Sequence, residues 1–262
     1  MKSTTWMSRL TVAITAIVAL FMFSWPLFIA TTVASEAQLA QSVFIVLMPV
    51  LLVMLLVEFS SGRIGSRQLA ILGVLTALNA VVRLLGAGTA GIETAFFIVL
   101  LGAYVFGAGF GFVLGSASLL VSALLTGGFG PWLPFQMMAA GLLGLVAGLL
   151  PKFESRRLQL AVLIVWAIVG SYLYGGLMTL WNWPFLAGLG SSLSYLPGDG
   201  VIANLTRFVQ YELITGGLLW DTGRAITTTV LLLVTGPALL TTLRRAANRA
   251  GFKVAPRGAS EV

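Results

Sequence analysis

The sequence predicts an all-α integral membrane protein with about eight transmembrane helices, and two observations carry this prediction. The first is composition: 58% of the 262 residues are hydrophobic and only 9% are charged, with a mean hydropathy of +1.02. A water-soluble domain of this size would need more charge to cover its surface. The second is a succession of uncharged runs, most of them near the roughly 20 residues that cross the hydrocarbon core as a helix.

Eight apolar runs follow one another along the chain and are predicted as its transmembrane helices. They are Leu10–Val33, Ser42–Val57, Leu69–Leu85, Ala95–Phe106, Ala108–Leu125, Leu133–Leu150, Leu158–Leu180 and Thr222–Leu243. The fourth run is short, so we expect its helix to begin inside the preceding loop. A long segment between the last two runs holds a predicted amphipathic helix near Val201–Leu219, on which Arg207 and Glu212 are expected to face water.

The first run has some features of a signal peptide, because it follows Lys2 and Arg9 and ends near the small residues Ala34 and Ser35. Its length, however, exceeds the roughly 7–15 apolar residues of a signal-peptide core. We therefore expect a retained transmembrane helix at this position.

The basic residues are distributed unevenly between the loops. With the N-terminus in the cytoplasm, eight spans return the C-terminus to the same side, and only Arg83, Arg207 and Arg224 fall outside. The other 12 of the 15 basic residues then lie inside: Lys2, Arg9, Arg63, Arg67, Lys152, Arg156, Arg157, Arg244, Arg245, Arg249, Lys253 and Arg257. Loops rich in Lys and Arg stay in the cytoplasm, so the pattern predicts a multi-pass plasma membrane protein with both termini cytoplasmic. The same bias accounts for the net charge of +7 without nucleic acid.

Missing residue types exclude several classes of enzyme. The chain has no Cys and no His, which excludes thiol chemistry, cysteine-ligated zinc, histidine-ligated haem and Ser-His catalysis. It also lacks the GxxxxGKS/T phosphate-binding loop, so any ATP hydrolysis must take place on another chain. We expect no catalytic residue, no metal site and no cofactor.

The central stretch Gly127–Pro151 combines features of a ligand-facing mouth. Its glycine turn leads to Pro131, Trp132 and Pro134, and proline is favoured at the start of a helix, where a missing N–H costs little. Small residues then give the helix a smooth flank on which another helix can pack closely. A tight turn at the lipid interface, with Trp132 as an aromatic anchor, is the alternative interpretation.

Charged residues near the external side form two candidate pairs. Arg83 and Glu93 flank one short loop, and they either line a cavity or pair with each other. Asp221 and Arg224 are three residues apart on one helix face, so they can pair directly. Tryptophans, an asparagine and a glutamine share the same external loops, and such mixtures of aromatic and hydrogen-bonding groups are typical of small-molecule pockets.

Several stretches after residue 67 carry a family likeness. They are LGVLTALNAVVRLLGAG, FFIVLLGAYVFGAGFGFVLGSASLL, GGFGPWLPFQMMAAGLLGLVAGLLP, SYLYGGLMTLWNWPF, and WDTGRA ahead of a last helix that ends in LRR. Together they resemble the substrate-binding S component of an energy-coupling factor (ECF) vitamin transporter, over roughly three quarters of the chain. Within that family, the pattern is most similar to the group for cobalamin or a related corrinoid.

The resemblance implies a domain organisation and a set of partners. Residues 68–246 would form the six-helix core, 1–67 two extra transmembrane helices with a cytoplasmic linker, and 247–262 a basic cytoplasmic tail. The chain would be a binding subunit and not an enzyme. It would capture a vitamin outside and work, as part of an ABC-type importer, with a transmembrane coupling subunit and two ATPase subunits.

The resemblance also points to two groups of residues. The vitamin pocket of the family opens outward, which on this sequence indicates Arg83, Glu93, Trp132, Gln136, Asn182, Trp183 and Asp221. The small-residue face of the first core helix would meet the coupling subunit, which indicates Gly73, Thr76, Ala77 and Ala80. The strict Ala-x-x-x-Ala pattern of some members is missing from this helix.

Three alternatives stand beside this interpretation. An intramembrane aspartyl protease would use Asp199 and Asp221 as a paired acid and base, although Asp199 lies in a PGDG turn. A self-contained secondary transporter would show internal repeats and acids in mid-membrane, and neither is evident here. Within the leading interpretation, a flavin or another heterocyclic vitamin is the alternative to a corrinoid.

Overall fold

The computed structural model describes residues 3–28, 42, 45–54, 56–57, 65–86, 91–186, 192–196 and 198–251. All regular secondary structure in this part of the chain is α-helix, which confirms the predicted fold class. Most of the predicted cytoplasmic linker and of the predicted basic tail lies outside the described residues.

The helices follow the predicted apolar runs. They are α1 (Ser3–Phe23), α2 (Trp25–Phe28), α3 (Ile45–Met54), α4 (Ser66–Leu84), α5 (Phe96–Phe106), α6 (Ala108–Thr126), α7 (Leu133–Leu149), α8 (Arg156–Leu180), α9 (Trp183–Leu186), α10 (Val201–Thr215) and α11 (Gly217–Arg249). Among the described residues, α4, α6, α8 and α11 are both long and apolar enough to cross a membrane, whereas α3, α5, α7 and the Ala13–Phe23 part of α1 are apolar but shorter. The count of eight spans therefore stays a prediction.

Helix α5 forms the centre of the bundle. Ten of its eleven residues are buried, as expected for a helix that is apolar around its whole circumference. Helices α6, α7, α8 and α11 pack around it, with α4 against α6 and α11 against α8. Gly107, with a φ of +102°, lets α5 turn directly into α6, because this backbone conformation is accessible mainly to glycine.

Helices α6 and α7 approach each other backbone to backbone. A Cβ atom built on Gly144 of α7 would overlap the backbone of Gly111, and one built on Gly115 of α6 would overlap the backbone of Ala140. The absence of side chains at these positions permits the close approach, as in other membrane helices with small residues at the interface. The small-residue flank predicted for α7 is therefore a helix-packing surface.

Helices α1 and α2 dock on an aromatic surface formed by the helices that follow. Phe23 packs edge-on against Phe135, with ring centroids 5.3 Å apart, and Phe135 stacks on Trp181 at 4.0 Å. The indole of Trp25 donates a hydrogen bond of 2.8 Å to the carbonyl of Trp181. Helices α1 and α2 thereby cover large apolar rings at the start of α7 and the end of α8.

The two ends of the bundle carry different charges. One end, which we call the basic end, is formed by the start of α4, the connection before α8 and the end of α11. It carries Arg67, Lys152, Arg156, Arg157, Arg244, Arg245 and Arg249, together with Glu154. The guanidinium of Arg244 donates a 2.7 Å hydrogen bond to Gln159 and ties α11 to α8 there. The opposite end carries both signs of charge, and we call it the mixed-charge end. The positive-inside rule would place the basic end in the cytoplasm.

The close contact between α6 and α7 predicts that two glycine-to-alanine substitutions differ in their effect on stability. Gly144→Ala places a methyl group against the backbone of Gly111, so we expect a loss of about 1–3 kcal/mol from overpacking and a lower midpoint of thermal unfolding in detergent. Gly73→Ala is the matched control, because its Cβ would meet no atom within 4 Å. The control should keep or slightly raise the midpoint, since alanine is the better helix former. Equal midpoints for the two variants would contradict the close packing.

Candidate ligand-binding site

The mixed-charge end brings together four charged side chains and a tyrosine from four parts of the chain. Arg83 comes from the last turn of α4, Glu93 from the loop before α5, Tyr174 from α8, and Asp221 and Arg224 from the first turns of α11. The four charged groups all lie near enough to Tyr174 to act electrostatically on its hydroxyl. We call these five residues the mixed-charge cluster.

The first pair in the cluster links the end of α4 to the loop before α5. The side chains of Arg83 and Glu93 are 3.8 Å apart and are 20% and 17% exposed, so of the two expected arrangements the structure contains the ion pair. Arg83 also donates a 2.9 Å hydrogen bond to the hydroxyl of Ser122 on α6. Glu93 in turn accepts a 3.2 Å bond from the backbone N–H of Ala95 at the start of α5. Both charges are therefore held in place from two sides.

The second pair lies between α8 and α11. Asp221 and Arg224 form the ion pair predicted from their spacing. The Asp221 carboxylate lies directly on Gly175 of α8, where any Cβ atom would overlap it. The Arg224 guanidinium lies 5.0 Å from the ring centroid of Tyr174 and 5.8 Å from that of Phe96. A cation over two aromatic faces gains further stabilisation from their quadrupoles.

Glu212 on α10 is a correction to the sequence interpretation. The expectation of a solvated side chain is wrong, because Glu212 is only 4% exposed and both of its carboxylate oxygens are buried, with no well-formed hydrogen bond from the described residues. It faces inward because its carboxylate lies against Gly217, which has no side chain to exclude it. Arg207 on the same helix pairs with Asp199 instead and remains partly exposed.

Burial raises the pKa of the Glu212 carboxyl, while the Thr179 hydroxyl and the charge of Arg224 act in the opposite direction. The native protein therefore holds this proton at a higher pH than the unfolded chain does. Its contribution to stability is largest at low pH and is lost as the pH rises through the raised pKa.

The remaining predicted ligand residues are spread around the cluster. Trp132 is 44% exposed and its ring covers Gly130, while Gln136 and Asn182 are half-buried. Trp183 is fully buried in another group, where it packs edge-on against Tyr195 and Phe208. The structure thus joins Arg83, Glu93 and Asp221 in one cluster and places Trp183 in a neighbouring apolar one.

A row of buried polar side chains continues from the cluster into the bundle between α4 and α6. Asn79 lies one turn before Arg83 on α4, and Ser118 lies one turn before Ser122 on α6. The amide of Asn79 and the hydroxyls of Thr76 and Ser118 are buried and lack a hydrogen-bond partner in the described part of the chain. We call Thr76, Asn79, Ser118 and Ser122 the polar seam. Such unsatisfied groups are rare in native proteins and are expected to meet water or a ligand.

Sequence reasoning missed Tyr174, Phe96 and the polar seam as parts of this site. The seam had a signal: Asn79 and Arg83, like Ser118 and Ser122, are polar residues four apart on otherwise apolar helices. Tyr174 and Phe96 had none, because their importance depends on the contact with Arg224, which lies on a different helix.

The structure does not join Asp199 and Asp221 as an acid pair. Asp199 pairs with Arg207, and Asp221 pairs with Arg224, so each aspartate is neutralised separately. A protease dyad needs two carboxyl groups close enough to share a proton. Within the described ranges, no group of three or more Asp, Glu, His or Cys side chains could hold a metal ion.

The four residues expected at the coupling-subunit interface divide between two faces of α4. Gly73 and Ala77 are exposed, and a Cβ atom on Gly73 would meet open space. Thr76 and Ala80 are only 7% and 0% exposed and point into the bundle. Only the face of Gly73 and Ala77 is therefore available to a partner.

Comparison with known families identifies the chain. The family model described as ECF transporter, substrate-specific component matches residues 67–247. Since this match covers more than half of the sequence, the chain belongs to that family and is a substrate-specific transport subunit, not itself an enzyme. The matched region begins after α3. No curated protein and no solved structure matches the chain.

The buried carboxyl of Glu212 predicts a pH-dependent effect of its removal. Glu212→Gln keeps the shape and removes the buried charge, so the variant should unfold at a higher temperature than the wild type at about pH 7.5. The gain should shrink as the pH is lowered toward about 5, because the raised pKa favours protonation of the wild-type carboxyl and so removes its charge. Glu154→Gln removes an exposed carboxylate and serves as the control. A gain that does not depend on pH would contradict a pKa raised by burial at Glu212.

Proposed function

We propose that this substrate-specific component of an ECF transporter captures a vitamin at its mixed-charge end, with cobalamin or a related corrinoid as the first candidate ligand. The observation that carries the proposal is the mixed-charge cluster. It offers two guanidinium groups, two carboxylates and an aromatic face at the end that charge asymmetry assigns to the outside. Such a mixture recognises a ligand that is both polar and conjugated.

The polar seam favours a ligand rich in amides. Asn79 offers both an amide donor and an amide acceptor, neither of them used by the described residues. A corrinoid carries several carboxamide side chains around a conjugated ring and a phosphodiester that arginine can bind. Hydrogen bonds to such groups would satisfy the seam, which otherwise bears the cost of buried unpaired polar atoms.

The loop before α5 is the proposed cover of the site. The backbone of Gly91 lies directly on the backbone of Trp220 at the start of α11. The hydroxyl of Thr94 donates a 2.6 Å hydrogen bond to the carbonyl of Val82 and holds the loop to α4. A ligand that reaches Arg83 and Arg224 from outside would have to move this loop away from α11.

A smaller heterocyclic vitamin, such as a flavin, is the second candidate. The compactness of the cluster favours it, because both ion pairs are closed and the loop contacts α11. A flat heterocycle is smaller than a corrinoid and would require less displacement of the loop.

The visible absorption spectrum of detergent-purified protein tests the ligand. After incubation with cobalamin and removal of the free vitamin, we expect about one corrinoid retained per chain. Gly175→Ala places a methyl group where the Asp221 carboxylate lies, and so separates that carboxylate from Arg224. The loss of this charge-assisted contact should weaken the binding of the vitamin about tenfold or more. The neighbouring Gly176→Ala is the control, because its Cβ meets open space. It should bind like the wild type.

The outcomes separate the two ligands. A wild-type protein that retains no corrinoid colour would refute the first candidate, and the same spectrum recorded after incubation with riboflavin would then test the second. Equal affinities of Gly175→Ala and Gly176→Ala for the retained vitamin would refute the placement of the site beside Asp221.

We further propose that delivery requires a transmembrane coupling subunit and two ATPase subunits. The chain has no phosphate-binding loop, and binding alone cannot move a solute uphill, because energy must shift the balance between outward- and inward-facing states. Vitamin uptake driven by an ion gradient in liposomes that lack the ATPases would contradict this assignment and favour a secondary transporter.

The exposed small-residue face of α4 is the proposed docking surface for the coupling subunit. Ala77→Leu should abolish co-purification with that subunit, because a large side chain keeps the two helix backbones apart. Vitamin binding by the isolated chain should be unchanged. Ala161→Leu makes the same change on an exposed face of α8 and is the control. Loss of the complex with both variants, or with neither, would show that this face of α4 does not form the interface.

A further inference from the structure

A groove opens at the basic end between the start of α4 and the end of α11. Its volume is about 720 Å³, within the range of about 300–1,000 Å³ that is usual for small-molecule sites. Its lining is apolar apart from one threonine and three arginines: Arg67, Ala70, Ile71, Thr242, Arg245, Ala246, Arg249 and Ala250. The groove lies at the opposite end of the bundle from the mixed-charge cluster.

The three arginines of this groove carry charge that the described residues leave uncompensated. The ion pairs in the described part of the chain involve Arg83, Arg207 and Arg224 and none of the groove arginines. Arg245 and Arg249 are one turn apart on α11, so their like charges repel. Arg67 donates a hydrogen bond of 3.4 Å to the backbone carbonyl of Arg249, which holds the three groups around one opening.

We propose that this groove binds the phosphate headgroup of an anionic phospholipid. Arginine recognises phosphate through paired charge-assisted hydrogen bonds. Basic pockets between transmembrane helices on the cytoplasmic side are suited to anionic headgroups, because that leaflet carries the anionic lipid. The charge asymmetry of the sequence assigns the basic end to this side.

The surface below the groove favours a lipid over a free anion. Val74 follows Ala70 by one turn on α4 and is 67% exposed, and Val234, two turns before Thr242 on α11, is 74% exposed. These side chains continue the groove toward the middle of the bundle and offer an apolar surface for acyl chains. A phospholipid can use both the arginines and this surface, whereas inorganic phosphate can use only the arginines.

Lipid titrations of the purified, delipidated full-length chain test the proposal. In neutral detergent, we expect phosphatidylglycerol to bind more tightly than phosphatidylcholine in native mass spectra and to raise the midpoint of thermal unfolding. Arg245→Gln combined with Arg249→Gln should lower the affinity by about 5-fold for each arginine removed. Arg156→Gln combined with Arg157→Gln removes the same charge from exposed positions at the same end and should bind like the wild type.

A steric variant keeps the test independent of charge. Ala246→Trp fills the groove without removing any arginine and should also lose the bound lipid. Equal phosphatidylglycerol affinity of the groove variants and the exposed-arginine control would refute the site. Equal affinity of the wild type for the two lipids would also refute it. Displacement of the lipid by inorganic phosphate at similar concentration would show that the arginines bind a free anion.

Discussion

A charge buried in an apolar bundle is costly without a partner, and this constraint organises the mixed-charge cluster. Asp221 is only 3% exposed. Its carboxylate can be there because Arg224 lies beside it and because Gly175 leaves the space that it occupies. The same guanidinium lies over the ring of Tyr174. Arg224 thus contacts both a carboxylate and an aromatic ring. Gly175, which has no side chain, is as necessary to this arrangement as the two charged residues.

Ion pairs between residues that are close along the chain could be predicted from the sequence. Asp221 and Arg224 are three residues apart on one helix, and Arg83 and Glu93 close one short loop, so neither pair depends on how distant helices pack. The helices were predictable for a similar reason, because apolar runs of membrane length leave the backbone few alternatives. Glu212 was not, since an amphipathic pattern marks a polar face without showing which of its members meets another helix. Only the contact with Gly217 of α11 reveals that this carboxyl is buried.

Tryptophans near helix ends were the least predictable part of the site. An indole buries a large apolar area and also donates one hydrogen bond, so it suits a lipid interface, a ligand pocket or a buried corner equally well. Trp181 stacks on Phe135 beneath the N-terminal helices, whereas Trp183 packs with Tyr195. Helices α1 and α2 therefore cover aromatic surface that the family-matched region would otherwise expose. The small-residue flank of α7 likewise suited a ligand mouth or a helix contact, and its partner proved to be the backbone of α6.

The two ends of the bundle differ in whether their arginines have carboxylate partners from this chain. At the mixed-charge end, each arginine already has a carboxylate from this chain, so the proposed ligand would have to supply a new partner for both charges of any pair that it separates. When such a ligand leaves, the pair could close again, as the release of a transported ligand would require. At the basic end, Arg245 and Arg249 are exposed and lack such partners among the described residues, so their charge is available to an anionic group from outside the chain. A permanently anionic surface such as the inner leaflet provides this charge without competing with the transported ligand.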